Sequence, residues 1–262
     1  MKTASQRSPS PSKGTQAIDR ALDIVRVVAQ VQRSGATLSR IARISGLNIT
    51  TTFRILRSLT ENRMLRYDAA EQNYYIGPLA FELGLAASGD AQLQTSWRGT
   101  VELISRQTGL TTYLVARSGN EGVCLLCVEG STPLRAVPDH VGQRSPLGIG
   151  APSLAILASL EDEEIERIIA SLGSRLDRLP TGDPQPEPIR KQIARTREQG
   201  FALNEGRMVP GITGIGIAIP PGQGVTHLAI CVAAASSTLR RGDAEKLATV
   251  MSDGIRRHLS GS

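Results

Sequence analysis

The sequence predicts an α+β protein built as two units. The first is a basic helical unit closed by a β-hairpin. The second is larger and carries an antiparallel sheet flanked by helices, read as lying to one side of it. Three observations predict this. Charge is segregated: residues 1–77 hold 12 Lys+Arg against 5 Asp+Glu, net +7, whereas residues 78–262 hold 18 against 19, net −1. Apolar spacing is helical up to about residue 62 and then shifts to short extended runs. Beyond residue 90, glycine-bounded apolar runs alternate with amphipathic stretches, the pattern of a mixed fold. With 262 residues the chain is long enough for one large domain or two ordinary ones.

Taken in order, residues 1–13 are rich in Ser, Pro, Lys and Gln and read as a disordered tail. Helical spacing begins at Gln16, where Ile18, Leu22, Val25 and Ala29 form a stripe that Ala21, Ile24 and Val28 widen. Gly35 in "RSGAT" is the expected stop. A short helix from Leu38 to Ser45 follows, with Thr37 as N-cap. Gly46 makes the turn, and Asn48 caps a helix from Ile49 to about Asn62. Met64–Tyr67 and Tyr74–Ile76 then flank the polar turn "DAAEQN" as a β-hairpin. Helix, helix, turn, helix, hairpin is the order of a winged helix-turn-helix.

The third helix opens with Thr50, Thr51 and Thr52, although β-branched residues are mediocre helix formers. Thr52, Ile55, Leu56 and Leu59 share the buried face by spacing. Thr50, Phe53, Arg54 and Arg57 lie opposite, with Thr51 at the edge. Short hydroxyls at a helix N-terminus can reach phosphate oxygens or base edges, and the helix's own amides add positive charge there. Arg54 and Arg57 add salt-sensitive phosphate attraction. A recognition helix enters the major groove in this way.

"PLAFELGLAASGD" reads as a linking helix starting at Pro78, and residues 92–108 as a further helix. "TTYLVARSG" and "GVCLLCVEG" read as paired strands, and "LRAVPD" as another. "APSLAILASL" and "LEDEEIERIIASL" are helical, "TGDPQPEP" is a loop, and "IRKQIARTREQG" is a helix ending at Gly200. "GITGIGIAIP" and "VTHLAICVAA" are apolar strands, and "GDAEKLATVMSDGIRRHL" is a closing helix.

Enzyme chemistry finds little support. In "CLLC", Cys124 and Cys127 would point to opposite faces of a strand, and no second pair exists for zinc. The glycines of "GITGIGIAIPPGQG" are not in dinucleotide-loop order and read as turns and close backbone approach. His140, His227 and His258 are scattered without metal spacing. No nucleophile–base pairing stands out, and neither cofactor nor metal is expected. The first residues lack the apolar core of an export signal, and no run approaches the ~18 apolar residues of a membrane span. With three cysteines, the expectation is a reducing, cytoplasmic setting.

Several stretches together resemble the IclR family of bacterial transcriptional regulators. They are "QAIDRALDIV", "LSRIARISGLNITTTFRILRSL", "YYIGPLAFELG", "VGQRSPLGIGAPSLAILASL" and "GFALNEGRMVPGITGIGIAIP". The resemblance covers about residues 16–259. It implies a winged helix-turn-helix (14–77), a linker helix (78–95) and a GAF-like effector-binding domain (96–262). It also implies homodimers or homotetramers on operator DNA. By resemblance Arg20, Thr50, Thr51 and Arg54 contact DNA. Asn48 and Phe53 stand at positions where the family often has Pro and His. Arg40 and Arg57 are phosphate partners on physical grounds. The family's effector pocket maps to Gly148, Ile149, Gly150, Ala151, Pro152, Asn204, Gly214, Cys231 and Ala233. The polar set of members that bind small α-keto acids is largely replaced here. Gly148, Gly150 and Ala151 can offer bare amides to a carboxylate. Leu147, Ile149, Ile215 and Ile217 favour an apolar body, so the expected effector is a partly apolar organic acid, aromatic acids among the candidates.

The sequence therefore reads as a ligand-responsive, sequence-specific DNA-binding regulator, a repressor or dual regulator of a catabolic operon. Two alternatives stand beside it at this point. One is a metabolic enzyme with a DNA-binding appendage, and the other is a DNA-binding assembly protein with a ligand-free second unit.

Overall fold

The computed structural model describes residues 15–32, 34–86, 89–132, 141–173, 187–206, 209–220 and 227–261. The chain forms two compact units, Met1–Ala91 and Gln92–Ser262. The tail, "LRAVPD", His140 and most of the "TGDPQPEP" loop fall outside the described residues.

In the first unit, α1 (Gln16–Gln30), α2 (Leu38–Ser45) and α3 (Ile49–Glu61) precede a hairpin of β1 (Leu65–Asp68) and β2 (Asn73–Ile76), then α4 (Pro78–Ala86). Ile24, Val28, Ile41, Leu56, Leu65 and Tyr74 meet in one core. The hairpin pairs Leu65 with Ile76 and Asp68 with Asn73. Its turn is held by the Asp68 carboxylate, which accepts from the amides of Ala70 and Glu71 at 3.0 and 3.2 Å.

Two expectations for α1 are corrected. Its buried residues are Ile24, Val27 and Val28. Ile18 and Leu22 are 60 % and 48 % exposed. The apolar arc of α1 is wider than its neighbours cover, and periodicity alone cannot say which edge of a wide arc turns inward. The helix also ends at Gln30, well before Gly35. The chain is taken over by the hairpin there: the Gln32 side chain accepts from the Ile76 amide at 2.7 Å, and Ala36 bridges Tyr74. Gly35, at φ +68°, lies where a Cβ would come within 2.7 Å of Asn73 and the Tyr75 ring.

The second unit runs α5 (Gly89–Thr108), β3 (Thr111–Ser118), β4 (Glu121–Val128), β5 (Arg144–Pro146), α6 (Ala151–Ala158), α7 (Asp162–Leu172) and α8 (Ile189–Gln199). It continues with β6 (Ala202–Glu205), β7 (Ile212–Ile219), β8 (Leu228–Ala235) and α9 (Asp243–Ser260). The six strands form one antiparallel sheet in the order β5-β4-β3-β8-β7-β6. One face packs on α6, α7 and α8 through Tyr113, Ala229, Leu154, Ile165 and Ile193. The other packs on α5 and α9 through Leu114, Ile230, Ile104 and Met251. Helices thus cover both faces rather than the single side expected. The central strands are buried on both sides, which is why β8 reads as the unbroken apolar run "LAICVAAA".

The cysteine argument is also corrected. The β3–β4 register slips between Leu114–Leu126 and Val115–Cys124. Leu125 is therefore an extra residue, a β-bulge that breaks alternation. Cys124 and Cys127 consequently pack against the same core, with Cys231. No helix among the described residues is long and apolar enough to cross a membrane.

Candidate functional site

The first unit presents the N-terminal half of α3. Gly46, at φ +67°, closes α2 in the left-handed conformation and lets the chain reverse within a few residues. Asn48 then starts α3, its Oδ1 accepting from the Thr51 amide at 2.8 Å. The three threonines divide their work. Thr52 is fully buried and its hydroxyl donates to the Asn48 carbonyl at 3.0 Å. Thr51 is half-buried and Thr50 exposed. Phe53, Arg54 and Arg57 are exposed beside Thr50. Asn48, as cap, has its side-chain oxygen committed to the helix and only its amide nitrogen free for a partner.

The arginines of this unit divide too. Arg26 pairs with Asp23, Arg57 with Glu61 at 2.8 Å, Arg63 with Glu82 and Arg66 with Asp68. Arg66 also lies 4.8 Å over the Tyr75 ring. Arg20, Arg40, Arg43 and Arg54 have no carboxylate partner among the described residues. Those four lie on α1, α2 and α3, none on the hairpin. Arg43 is a cation that sequence reasoning did not single out. Its distinguishing property, the lack of a partner, is invisible in one dimension.

In the second unit, Gly148 to Pro152 form the turn into α6. Gly150, at φ +79°, is its N-cap and offers no side chain. The helix rests on bare backbone: a Cβ at Gly216 would lie 2.5 Å from the Ala151 carbonyl oxygen, and one at Gly214 would lie 3.2 Å from the Ala151 Cβ. The register carries Asn204, Gly214, Ala233 and Thr111 in one cross-strand row. Gly216, Cys231, Tyr113 and Cys127 form the row two residues along. The predicted set Gly214, Cys231, Ala233 and Asn204 is therefore brought together on one sheet face, against the start of α6. Asn204 is 7 % exposed, and its side-chain amide has no hydrogen-bond partner among the described residues.

Ile215 and Ile217 are corrected: both belong to the opposite core, with α5 and α9. Strand alternation sends them to the other face from Gly214 and Gly216. Leu147 is core beneath α6, and Ile149 alone of the four is half-buried. Thr111 and Tyr113 share the candidate face and were missed, although alternation in "TTYLVARSG" would have placed them together.

A helix-turn-helix with four arginines lacking carboxylate partners among the described residues, followed by a unit that sets a helix N-terminus against a sheet face carrying Asn204, fits a DNA-binding regulator with a ligand-binding domain. Comparison with known proteins agrees. The family model for the IclR helix-turn-helix domain matches residues 17–69, and that for the bacterial transcriptional regulator IclR C-terminal domain matches residues 86–255. The chain belongs to the IclR family of bacterial transcriptional regulators. It is a regulator and not an enzyme. It is 28 % identical over 237 residues to the HTH-type transcriptional repressor AllR of Salmonella typhi, covering 89 % of this chain and 85 % of that one. It is 29 % identical over 245 residues to the HTH-type transcriptional regulator BhcR of Paracoccus denitrificans, covering 93 % and 85 %. Among solved structures, an IclR homolog from Microbacterium hydrocarbonoxydans complexed with 4-hydroxybenzoate superposes with a TM-score of 0.71 at 20 % identity, covering 94 % of this chain and all of that one.

Proposed function

We propose that this regulator holds operator DNA through the exposed face of α3, with Thr50, Thr51 and Phe53 at the major groove and Asn48 at its edge. Arg20, Arg40 and Arg54 reach phosphates. Arg57 joins them by exchanging Glu61 for a phosphate. The observation that carries this is the partition of charge: the arginines left without carboxylates lie on the three helices, so their charge is available to phosphate. Residues 14–77 serve as the DNA-binding domain, 78–95 as linker helix and 96–262 as effector domain. The working form is a homodimer or homotetramer, and the targets are genes of a catabolic operon.

The effector is a small organic acid bound at Gly148–Pro152, with Asn204, Gly214, Cys231 and Ala233 beneath it. The amides of Gly150 and Ala151 take the carboxylate, and Asn204 supplies the buried hydrogen bond that selects its polar end. Half-buried Ile149, in the turn before α6, offers the ligand an apolar contact. The 4-hydroxybenzoate in the Microbacterium neighbour supports an aromatic acid as the class. Binding shifts DNA affinity because the ligand favours one of two states.

The test is a gel shift on DNA flanking the protein's own gene, at two salt concentrations, with excess non-specific competitor. A competitor-resistant complex is expected. Hydroxybenzoates added to it should change its affinity. A response confined to small hydrophilic keto acids would refute the aromatic assignment.

A further inference from the structure

Beside the exposed face of α3, on the flank turned toward α1, lies a groove of about 370 Å³. Its apolar lining includes Ala17 of α1 and Ile55 and Leu59 of α3; Arg20, Arg54 and Ser58 contribute polar groups. The groove exists because the two helices close against each other only further along α1, at Ile24 and Val28. Nearer its N-terminus, α1 offers small residues that do not fill the space.

The lining has two characters. Methyl and methylene groups suit a sugar ring. Two guanidinium groups without carboxylate partners suit phosphate oxygens, which they can hold through paired N–H donors. We propose that this groove seats the sugar–phosphate backbone of one operator strand, with Arg20 and Arg54 on its phosphates and Ser58 donating between them. The inference rests on the operator-binding reading and deepens it. It makes the α1–α3 groove the positioning element that sets how far α3 enters the major groove. The chain's own N-terminus is a poor occupant. Residues 1–14 carry Lys2, Arg7 and Lys13 and no acid, so the two arginines repel them.

The groove can be filled without removing charge. Ala17→Phe fills it from α1 and Ser58→Phe from α3, each in the full chain with its fold checked by circular dichroism. Either variant should weaken operator binding by about tenfold or more, and flatten the dependence of log K on log salt by about 0.9 for each phosphate left without its arginine. Phosphate ethylation that interferes with wild-type binding at one backbone position should no longer interfere with the variant. Arg20→Ala added to Ala17→Phe should cost little more, because both abolish the same arginine–phosphate interaction. Should one variant fail to fold, the other reads the same groove. Wild-type affinity and slope in both variants would overturn the proposal. So would a changed sedimentation coefficient, which would mean that a second copy of the chain fills the groove. Absence of a competitor-resistant complex with the wild type would instead bring down the operator-binding reading, and the groove assignment with it.

Discussion

Neighbouring residues of one type do different jobs in this protein. Thr50 faces solvent, Thr51 donates its amide to the cap, and Thr52 is sealed in the core. Asn48→Ala should lower the stability of the first unit by about 1 kcal/mol, because it leaves the Thr51 amide unsatisfied. Denaturant unfolding followed at the helical signal would check it. Two glycines make a sharper pair. Gly216→Ala forces a methyl against the Ala151 carbonyl and should destabilise by about 1–3 kcal/mol. Gly99→Ala, on exposed α5 surface with nothing near its Cβ, should stabilise by about 0.5–1 kcal/mol. Urea midpoints moving in the same direction would contradict this account. The caps Thr37 and Asn48 and the helix-ending glycines Gly46 and Gly200 were legible because each is a local rule acting within three or four residues, whereas the end of α1 was not, because it is set by the distant hairpin and not by Gly35. The facing of Ile215 and Ile217 was not, because alternation ranks two faces without saying which helix covers which.

Among elements, the packing of α5 on α9 has its own probe. Trp97, the chain's single tryptophan, stacks on His258 with ring centroids 3.8 Å apart. The His258 ring nitrogens meet Thr100 and Ser96 hydroxyls at 3.1 and 3.3 Å. Burial holds this imidazole below its ordinary pKa of 6.5. The neutral ring's contribution is therefore complete above about pH 6.5 and is lost as pH falls through the lower folded value. Tryptophan fluorescence should change on acidification below that point, and His258→Gln should abolish the change. The hairpin makes a second case. Its turn carries Asp68 and Glu71, and Arg66 is already engaged. Asp68 sits below the usual carboxylate range, chiefly because the Glu71 amide donates to it. Its hold on the turn is present at neutral pH and lost only when pH falls through that lowered value. Replacing Asp68 and Glu71 with Asn and Gln should leave the salt slope of operator binding unchanged, whereas Arg54→Ala should reduce it by about 0.9. Long periodic helices and the hairpin were readable in the sequence. The edge strands β5 and β6 were not: they are as short as the hairpin strands but lack a tight polar turn joining them to their partners, so nothing local marks them.

At the scale of the whole molecule, apolar surface remains on the DNA-binding unit: Ile18 and Leu22 on α1, Phe81 and Leu83 on α4, the most open being Phe81 at 69 %. Side chains of this size left in water on helices are suited to a second copy of the chain. Leu22→Glu and Phe81→Glu should shift the proposed homo-oligomer toward smaller species in analytical ultracentrifugation and weaken operator binding together with it. Unchanged mass would assign those side chains elsewhere. The two-unit plan was visible from the segregation of charge together with the change in apolar spacing. The two-faced sheet was not, since a run such as "LAICVAAA" is equally a strand with one wet face or one buried on both sides until a second helix layer is seen.

Where α6 meets β7, the sheet offers Gly214 and Gly216, so no side-chain knob locks into a hole. Such a junction sets a height: the Ala151 carbonyl rests on the bare strand, and Ser153 is tied to the Ser145 hydroxyl at 2.8 Å. Any side chain added to β7 there would lift the first turn of α6, and with it the candidate carboxylate amides.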